Sequence, residues 1–274
     1  MDQTTDSMAS HEQVFRTEKP APRSSLAPAV SRAIHLLNLV SEVGHPLSLS
    51  ELASRLGIVK SSAFALCSEL TAGGLLSRQS DGYQLGAHVM AFAHAYLKQT
   101  SLPQLFLSLL ASRQTLPQYT VNLSVLDGID VVYMISRPGS HPLGIEIRMG
   151  TRLPAFHAAT GRAILSTFSA EHLDQKLAHF PQPKLTAKTE TSLPKLRKLL
   201  SQAAKDGYSI DDEEVREGML AFGAPVLGPH GSEAVAGVAV ALQRDSATAK
   251  VRKEAVAEIR LLARTLSHQL GAEV

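Results

Sequence analysis

Between residues 26 and 86, three helical patterns stand so close together, each ended by glycine, that few folds can hold them. Val30, Ala33, Ile34, Leu36, Leu37, Leu39, Val40 and Val43 recur at helical spacing until Gly44 and Pro46 stop the pattern. Ser48 stands three residues before Glu51, a capping box that opens a short helix closed by Gly57. A third helix is predicted from Lys60 to Ala72, ended by Gly73-Gly74. Two extended pieces follow, Leu75–Arg78 and Tyr83–Leu85, joined by Ser80-Asp81-Gly82, and Asp-Gly between such pieces is a strong hairpin signal. Helix, helix, turn, helix and two-stranded ribbon is the order of a winged helix-turn-helix.

The third helix decides what this unit can do. Ala63, Leu66, Cys67 and Leu70 form its buried stripe. Its other face carries Ser61, Ser62, Ala65 and Glu69, with Lys60 at the start. A cation and small hydroxyls at a helix N-terminus suit entry into a DNA groove, because short side chains let the backbone approach phosphate. Arg78 and Tyr83 on the ribbon are placed to reach an adjacent groove or phosphate. Charge does not add to this: Arg32, Arg55, Lys60 and Arg78 are balanced by Glu42, Glu51, Glu69 and Asp81. Counterion release therefore contributes little per copy, and use of the helix-turn-helix for protein contacts stays open. Cys67, the single cysteine, is expected to be a core thiol rather than a redox group.

Around this unit lie a polar, unpatterned tail over 1–25 and an apolar helix over 87–100, read as packing against a partner chain or domain. The remainder, 101–274, interleaves the two element types. Helices are predicted near 104–113, 158–168, 171–179, 192–205 and 250–270, the last capped by Gly271. Strands are predicted at 120–126, 129–136, near Leu143–Arg148, and at 208–211, 219–226 and 234–242, with turns at Asp127-Gly128 and Pro229-His230-Gly231. The whole is an α+β chain of two domains. Formal net charge is +2, no apolar run is long enough to cross a membrane, and a single cysteine suits a reducing cytoplasm.

The segment GTRLPAFHAATGRAIL (150–165) carries the clearest site signal. Free amides at Ala159 and Thr160, with Gly161 permitting close approach, make a place for a carboxylate; tight packing of a helix end on a sheet explains the same residues equally well. A second signal is the acidic run Asp211 to Glu214, of which Asp212, Glu213 and Glu214 are read as a solvated turn. No metal or cofactor is implied, since acids and histidines do not recur at ligand spacing and no phosphate-loop, dinucleotide or nucleophile-elbow motif occurs. His157 lies near the site, but nothing nearby pairs with it as a nucleophile would, so an enzyme is not the expected reading.

Taken in order, PLSLSELASRLGIVKSSAFALCSEL (46–70), DGYQLG (81–86), LDGIDVVYMISRPG (126–139), RLPAFHAATGRAIL (152–165) and DGYSIDDEEVREGMLAFGAPV (206–226) resemble the IclR-type bacterial transcription regulators. The resemblance implies an N-terminal winged helix-turn-helix, a linker helix that helps dimerise it, and a C-terminal GAF-like α/β effector-binding domain. It implies dimers or tetramers on palindromic operator DNA, repressing or activating catabolic genes in answer to a small organic acid. Carried over by position, the effector cradle falls on Ala159, Thr160, Asp211, Ala221, Ala239 and Ala241. The family often has Cys at the position of Ala221 and hydroxyl residues at those of Ala239 and Ala241. Three alanines there point to a more apolar or aromatic acid held at one polar end, because each buried oxygen of a small oxygenated acid needs a donor. The recognition helix departs too: Phe64 and Ala65 stand where the family frequently has Tyr and Arg, which shifts DNA contact onto Lys60, Ser61, Ser62 and Arg78.

Overall fold

The computed structural model describes residues 26–98, 100–113, 116–140, 147–229, 231 and 233–272, which fall into two compact units, one ending at Thr100 and the other beginning at Ser101. The expected tail over 1–25, residues 143–146 of the strand expected near Leu143–Arg148, and His230 of the last turn lie outside the described residues.

The first unit holds α1 (Pro28–Val43), α2 (Leu49–Leu56), α3 (Lys60–Ala72), β1 (Leu76–Gln79), β2 (Gly82–Leu85) and α4 (Val89–Leu97). The predicted punctuation is physical. Gly44 and Gly57 take left-handed φ values of 69° and 65°, which release the chain from α1 and α2. The capping box forms in full: Ser48 Oγ accepts from the Glu51 amide at 3.3 Å, and the Ser48 amide donates to Glu51 Oε2 at 2.9 Å. Ladder pairing of Gln79 with Gly82 leaves Ser80 and Asp81 as the hairpin loop, so Gly82 is the first strand residue rather than a turn residue. Its lack of a side chain matters, because a Cβ there would stand 2.4 Å from the Leu47 carbonyl oxygen.

That close approach lets Leu47 and Tyr83 exchange two backbone hydrogen bonds of 2.9 and 2.8 Å, and it corrects the expectation for Tyr83. The ring is not offered to DNA. It is 6% exposed and completes the core of Leu36, Val40, Leu47, Leu52, Cys67 and Leu76. Cys67 is fully buried within that core, and burial pushes its thiol up to about 11. Ala63 is buried as expected, while Leu66 and Leu70 are half-buried at the core margin.

The second unit contains α5 (Leu102–Ala111), β3 (Thr120–Asp127), β4 (Asp130–Arg137), β5 (Arg152–Pro154), α6 (Ala159–Leu165), α7 (Ala170–Leu177), α8 (Leu193–Asp206), β6 (Ser209–Asp212), β7 (Met219–Leu227), β8 (Ala234–Gln243) and α9 (Ala249–Gln269). Six strands form one antiparallel sheet in the order β5-β4-β3-β8-β7-β6. The strand expected near Leu143–Arg148 is not found at its described residues: Ile147 and Arg148 are not strand, and the edge beside β4 is the short β5. The long α9 packs on β7 and β8 through a face containing Ile259, Leu262, Ala263 and Leu266, and α5 packs against α9. Thr248 Oγ1 caps α9 at the Val251 amide, and Gly271 follows its end at φ 92°.

The opposite face is covered by α6, and there the contact is backbone on backbone. A Cβ on Gly223 of β7 would meet the Ala159 carbonyl oxygen at 2.4 Å, and one on Gly237 of β8 would meet the Thr160 carbonyl oxygen at 2.6 Å. Ser209 Oγ of β6 donates to the same Ala159 oxygen at 2.5 Å. All seven residues of α6 are buried. Gly223→Ala should therefore lift α6 from the sheet and destabilise this unit by about 1–3 kcal/mol, the usual cost of overpacking. Calorimetry measures it, and an unchanged transition would show that the helix moves freely.

Candidate functional site

In the first unit, α3 presents one continuous exposed face of Lys60, Ser61, Phe64, Ala65, Ser68 and Glu69, with Ser62 half-buried beside it. Phe64 is 51% exposed, and Val59 just before the helix is 67% exposed. Arg78 is exposed on β1. Aside from the buried Tyr83 and the half-buried Ser62, the residues expected to touch DNA are thus exposed on this unit. The apolar helix α4 buries none of its residues, leaving Met90, Phe92 and Tyr96 exposed.

In the second unit the sheet register brings the expected effector residues onto one face. Partners directly across an antiparallel ladder share a face, so the rows can be read from the register. One row runs Thr120, Ala241, Ala221, Asp211 across β3, β8, β7 and β6; the next runs Asn122, Ala239, Gly223, Ser209. A third holds Tyr133, Ser124 and Gly237. Ala159 and Thr160 lie against Gly223 and Gly237 of this face. Among the described residues, the amides of Ala159 and Thr160 donate to no protein acceptor. Gly161 has a different task from the one its motif suggested: a Cβ on it would stand 2.3 Å from the Ala155 carbonyl oxygen, so the glycine serves packing of the turn that precedes α6.

Asp211 is buried at the end of the row, with Oδ1 accepting from the amides of Glu214 at 2.8 Å and Val215 at 3.2 Å. Burial outweighs these bonds and pushes its carboxyl up to about 7. Tyr133 has its phenol raised by burial.

The acidic run is not a solvated turn. Glu214 is 9% exposed and forms a two-pronged pair with Arg162 at 2.5 and 2.6 Å. Arg162 is 1% exposed; its Nε also donates to Phe156 O at 2.6 Å and its Nη1 to Ile210 O at 3.0 Å. Glu214 Oε2 accepts from the Glu190 amide at 2.9 Å. Glu213 pairs with Lys188 and holds a left-handed φ of 67°, its Oε1 accepting from the Gly218 amide at 2.8 Å, while Asp212 pairs with Arg244 at 2.5 Å. A guanidinium inside a helix of Ala, Ile and Leu was the available sign of this pair, since a cation on an apolar helix needs an internal acid. His157 is fully buried, and burial with the nearby Arg162 lowers its imidazole to about 4; among the described residues neither ring nitrogen has a hydrogen-bond partner.

A helix-turn-helix unit and an α/β unit whose sheet face encloses polar side chains define a DNA-binding transcription regulator with a ligand-binding domain, and the comparisons agree. The family model for the IclR helix-turn-helix domain matches residues 29–80, and that for the bacterial transcriptional regulator IclR C-terminal region matches residues 94–268. The chain belongs to the IclR family. It is 25% identical over 234 residues to the HTH-type transcriptional regulator XynR of Escherichia coli, covering 85% of this chain and 91% of that one. Among solved structures, the Agobacterium tumefaciens repressor BlcR aligns with 36% identity and a TM-score of 0.60, over 92% of this chain and all of that one. An IclR homologue of Microbacterium hydrocarbonoxydans complexed with 4-hydroxybenzoate shares the fold at a TM-score of 0.75 and 20% identity, over 88% of this chain and 98% of that one. These relatives are regulators, not enzymes. No helix among the described residues is long and apolar enough to cross a membrane.

Arg162→Ala leaves Glu214 buried without its cation, a loss of about 3–5 kcal/mol, which should lower the calorimetric transition of this unit on the order of 10 °C. Asp211 gives a pH test. Unfolded, it titrates near 3.8, and folded near 7, so the folded chain keeps a proton that the unfolded chain has released. Its stabilising share is complete below 3.8 and is lost as pH rises through 7. Asp211→Asn keeps the acceptor oxygen but has no proton to lose. The melting temperature of the variant minus that of the parent should grow from near zero at pH 4 to a positive plateau above pH 7; a difference independent of pH would refute a raised carboxyl.

Proposed function

We propose that the chain is a cytoplasmic, effector-responsive regulator that binds double-stranded operator DNA through residues 26–86 and senses a small organic acid in residues 101–274, with 87–100 as the helix that links and dimerises it. The exposed face of α3 carries the DNA reading. Lys60 and Arg78 meet phosphate, Ser61 and Ser62 let the backbone approach, and Phe64 and Ala65 meet the apolar edges of bases such as the thymine methyl. A half-exposed Phe on an otherwise short-side-chain helix gains most where such a surface covers it.

The chain works as a homo-oligomer, a dimer or tetramer. Two observations support this: the exposed Met90, Phe92 and Tyr96 of α4 with Val30 and Ile34 of α1, and a DNA unit whose balanced charge needs a second copy for affinity. The effector lies on the sheet face bounded by Ala159, Thr160, Asp211, Ala221, Ala239 and Ala241. Three alanines favour an apolar or aromatic body with one carboxylate, a class that includes the acid bound by the Microbacterium relative. The genes governed are catabolic, under repression or activation.

The test is a binding titration against the DNA upstream of the protein's own gene, with and without aromatic acids, and with molecular mass read by light scattering. Expected are saturable binding by an oligomer, weakened or strengthened by acid. Lys60→Ala should weaken specific and unrelated DNA alike and reduce the slope of log affinity against log salt by about one. Binding no tighter than to unrelated DNA sinks the operator reading, and an unchanged slope removes Lys60 from phosphate contact.

A further inference from the structure

The alanine floor of the sheet face is polar at both ends, and only one end is accounted for. On β6 stand Ser209 and Asp211, both occupied: Ser209 Oγ donates to Ala159 O, and Asp211 Oδ1 accepts two amides. On β3, three strands away, Asn122 stands in the row of Ser209, opposite Ala239, and Ser124 stands in the next row, opposite Gly237. Asn122 is 2% exposed and Ser124 is fully buried. Among the described residues Asn122 Oδ1 and Ser124 Oγ have no hydrogen-bond partner. Leaving such a group buried and unpaired costs about 1–3 kcal/mol, and two side by side on one strand mark a place where something else supplies the bonds. Thr120, one step further along β3, is satisfied by the Gly139 amide at 3.3 Å, whereas Thr160 Oγ1, on the helix over this face, is without a partner among the described residues like the pair.

Geometry sets the size of what would satisfy them. From β6 to β3 is three strand spacings, about 14 Å between backbones. A two- or three-carbon acid held at Asp211 cannot reach Asn122, although Thr160, over Gly237 of β8, stands only one strand from β3. An acid with a body of roughly five or more heavy atoms can lie along Ala221, Ala241 and Ala239 and bring its far end to β3. Asn122 and Ser124 are uncharged, one an amide and the other a hydroxyl, so they suit a neutral hydroxyl or carbonyl and not a second carboxylate.

We propose that Asn122 and Ser124 form a second binding pole, which receives a neutral hydroxyl or carbonyl group at the far end of the effector acid. This rests on the effector site proposed above and adds to it: hydrogen-bonding capacity absent at Ala239 and Ala241 of β8 is present one strand over on β3. The effector class is then an elongated monocarboxylic acid that is apolar in the middle and bears a hydroxyl or carbonyl distally.

Calorimetry of the full chain with matched acids tests it: benzoate with 4-hydroxybenzoate, phenylacetate with 4-hydroxyphenylacetate, and hexanoate with 6-hydroxyhexanoate. In at least one pair the hydroxylated acid should bind more tightly to the parent protein. Asn122→Ala and Ser124→Ala should each weaken that acid about tenfold while leaving its plain partner unchanged. Because these variants delete an unpaired group, the melting temperature without ligand should hold or rise. Binding of the plain acids with no preference for the hydroxylated ones overturns the second pole and leaves the effector site standing. A variant that weakens both members of a pair equally and melts lower shows Asn122 and Ser124 to be structural, for instance around a buried water. Binding of no acid in any pair overturns the effector site itself, and the pole with it.

Discussion

The second unit depends on one buried cation. Arg162 sits on a helix with no solvent around it, and a guanidinium there is tolerable only with its donors engaged. It binds the carboxylate of Glu214, the Phe156 carbonyl in the turn before α6, and the Ile210 carbonyl on β6. Four stretches of chain are thereby held around one planar group: α6, its preceding turn, the edge strand, and the turn after that strand. Glu214 extends the arrangement to the Glu190 amide. The position of Asp211 follows, because its oxygen is fixed by the amides of the turn that Glu214 anchors. The pair costs desolvation and is no simple gain in stability, so what it contributes is a defined geometry at the end of the alanine rows.

Much of the architecture was legible because local chemistry and global fold agree. Gly44, Gly57 and the Ser48–Glu51 box terminate and start helices where they should, and five of the six strands of the second unit fall within a few residues of their expected places, the edge strand β5 being the exception. What was not legible involved partners distant in sequence. Glu214 lies 52 residues from Arg162, and nothing in an acidic run says that one member turns inward. Tyr83 was misplaced for a related reason: the ribbon alternates Tyr83 and Leu85 with Gly82 and Gln84, but which set faces in is decided by the bridge to Leu47.

The strand at 120–126 shows the same limit most plainly. Alternation of Thr120, Asn122 and Ser124 with Val121 and Leu123 reads as a sheet with one wet face. Here α6 and α9 cover the two faces, so the polar set is buried along with the apolar one. The alanines at 221, 239 and 241 were visible as departures from the family pattern, whereas nothing in the sequence singled out the polar side chains beside them on β3. A site on a covered sheet is built from whole rows, and a single strand shows only one member of each.

The glycine contacts beneath α6 carry a mechanical consequence. Side chains between a helix and a sheet can change rotamer and absorb a shift of one against the other; at Gly223 and Gly237 there are none to do so. Main chain touches main chain, and the two bodies translate together. Strain introduced at this seam is therefore not dissipated locally but appears at its margins, where longer side chains begin. A floor without side chains to yield is a stiff one, and compliance is left to its rim.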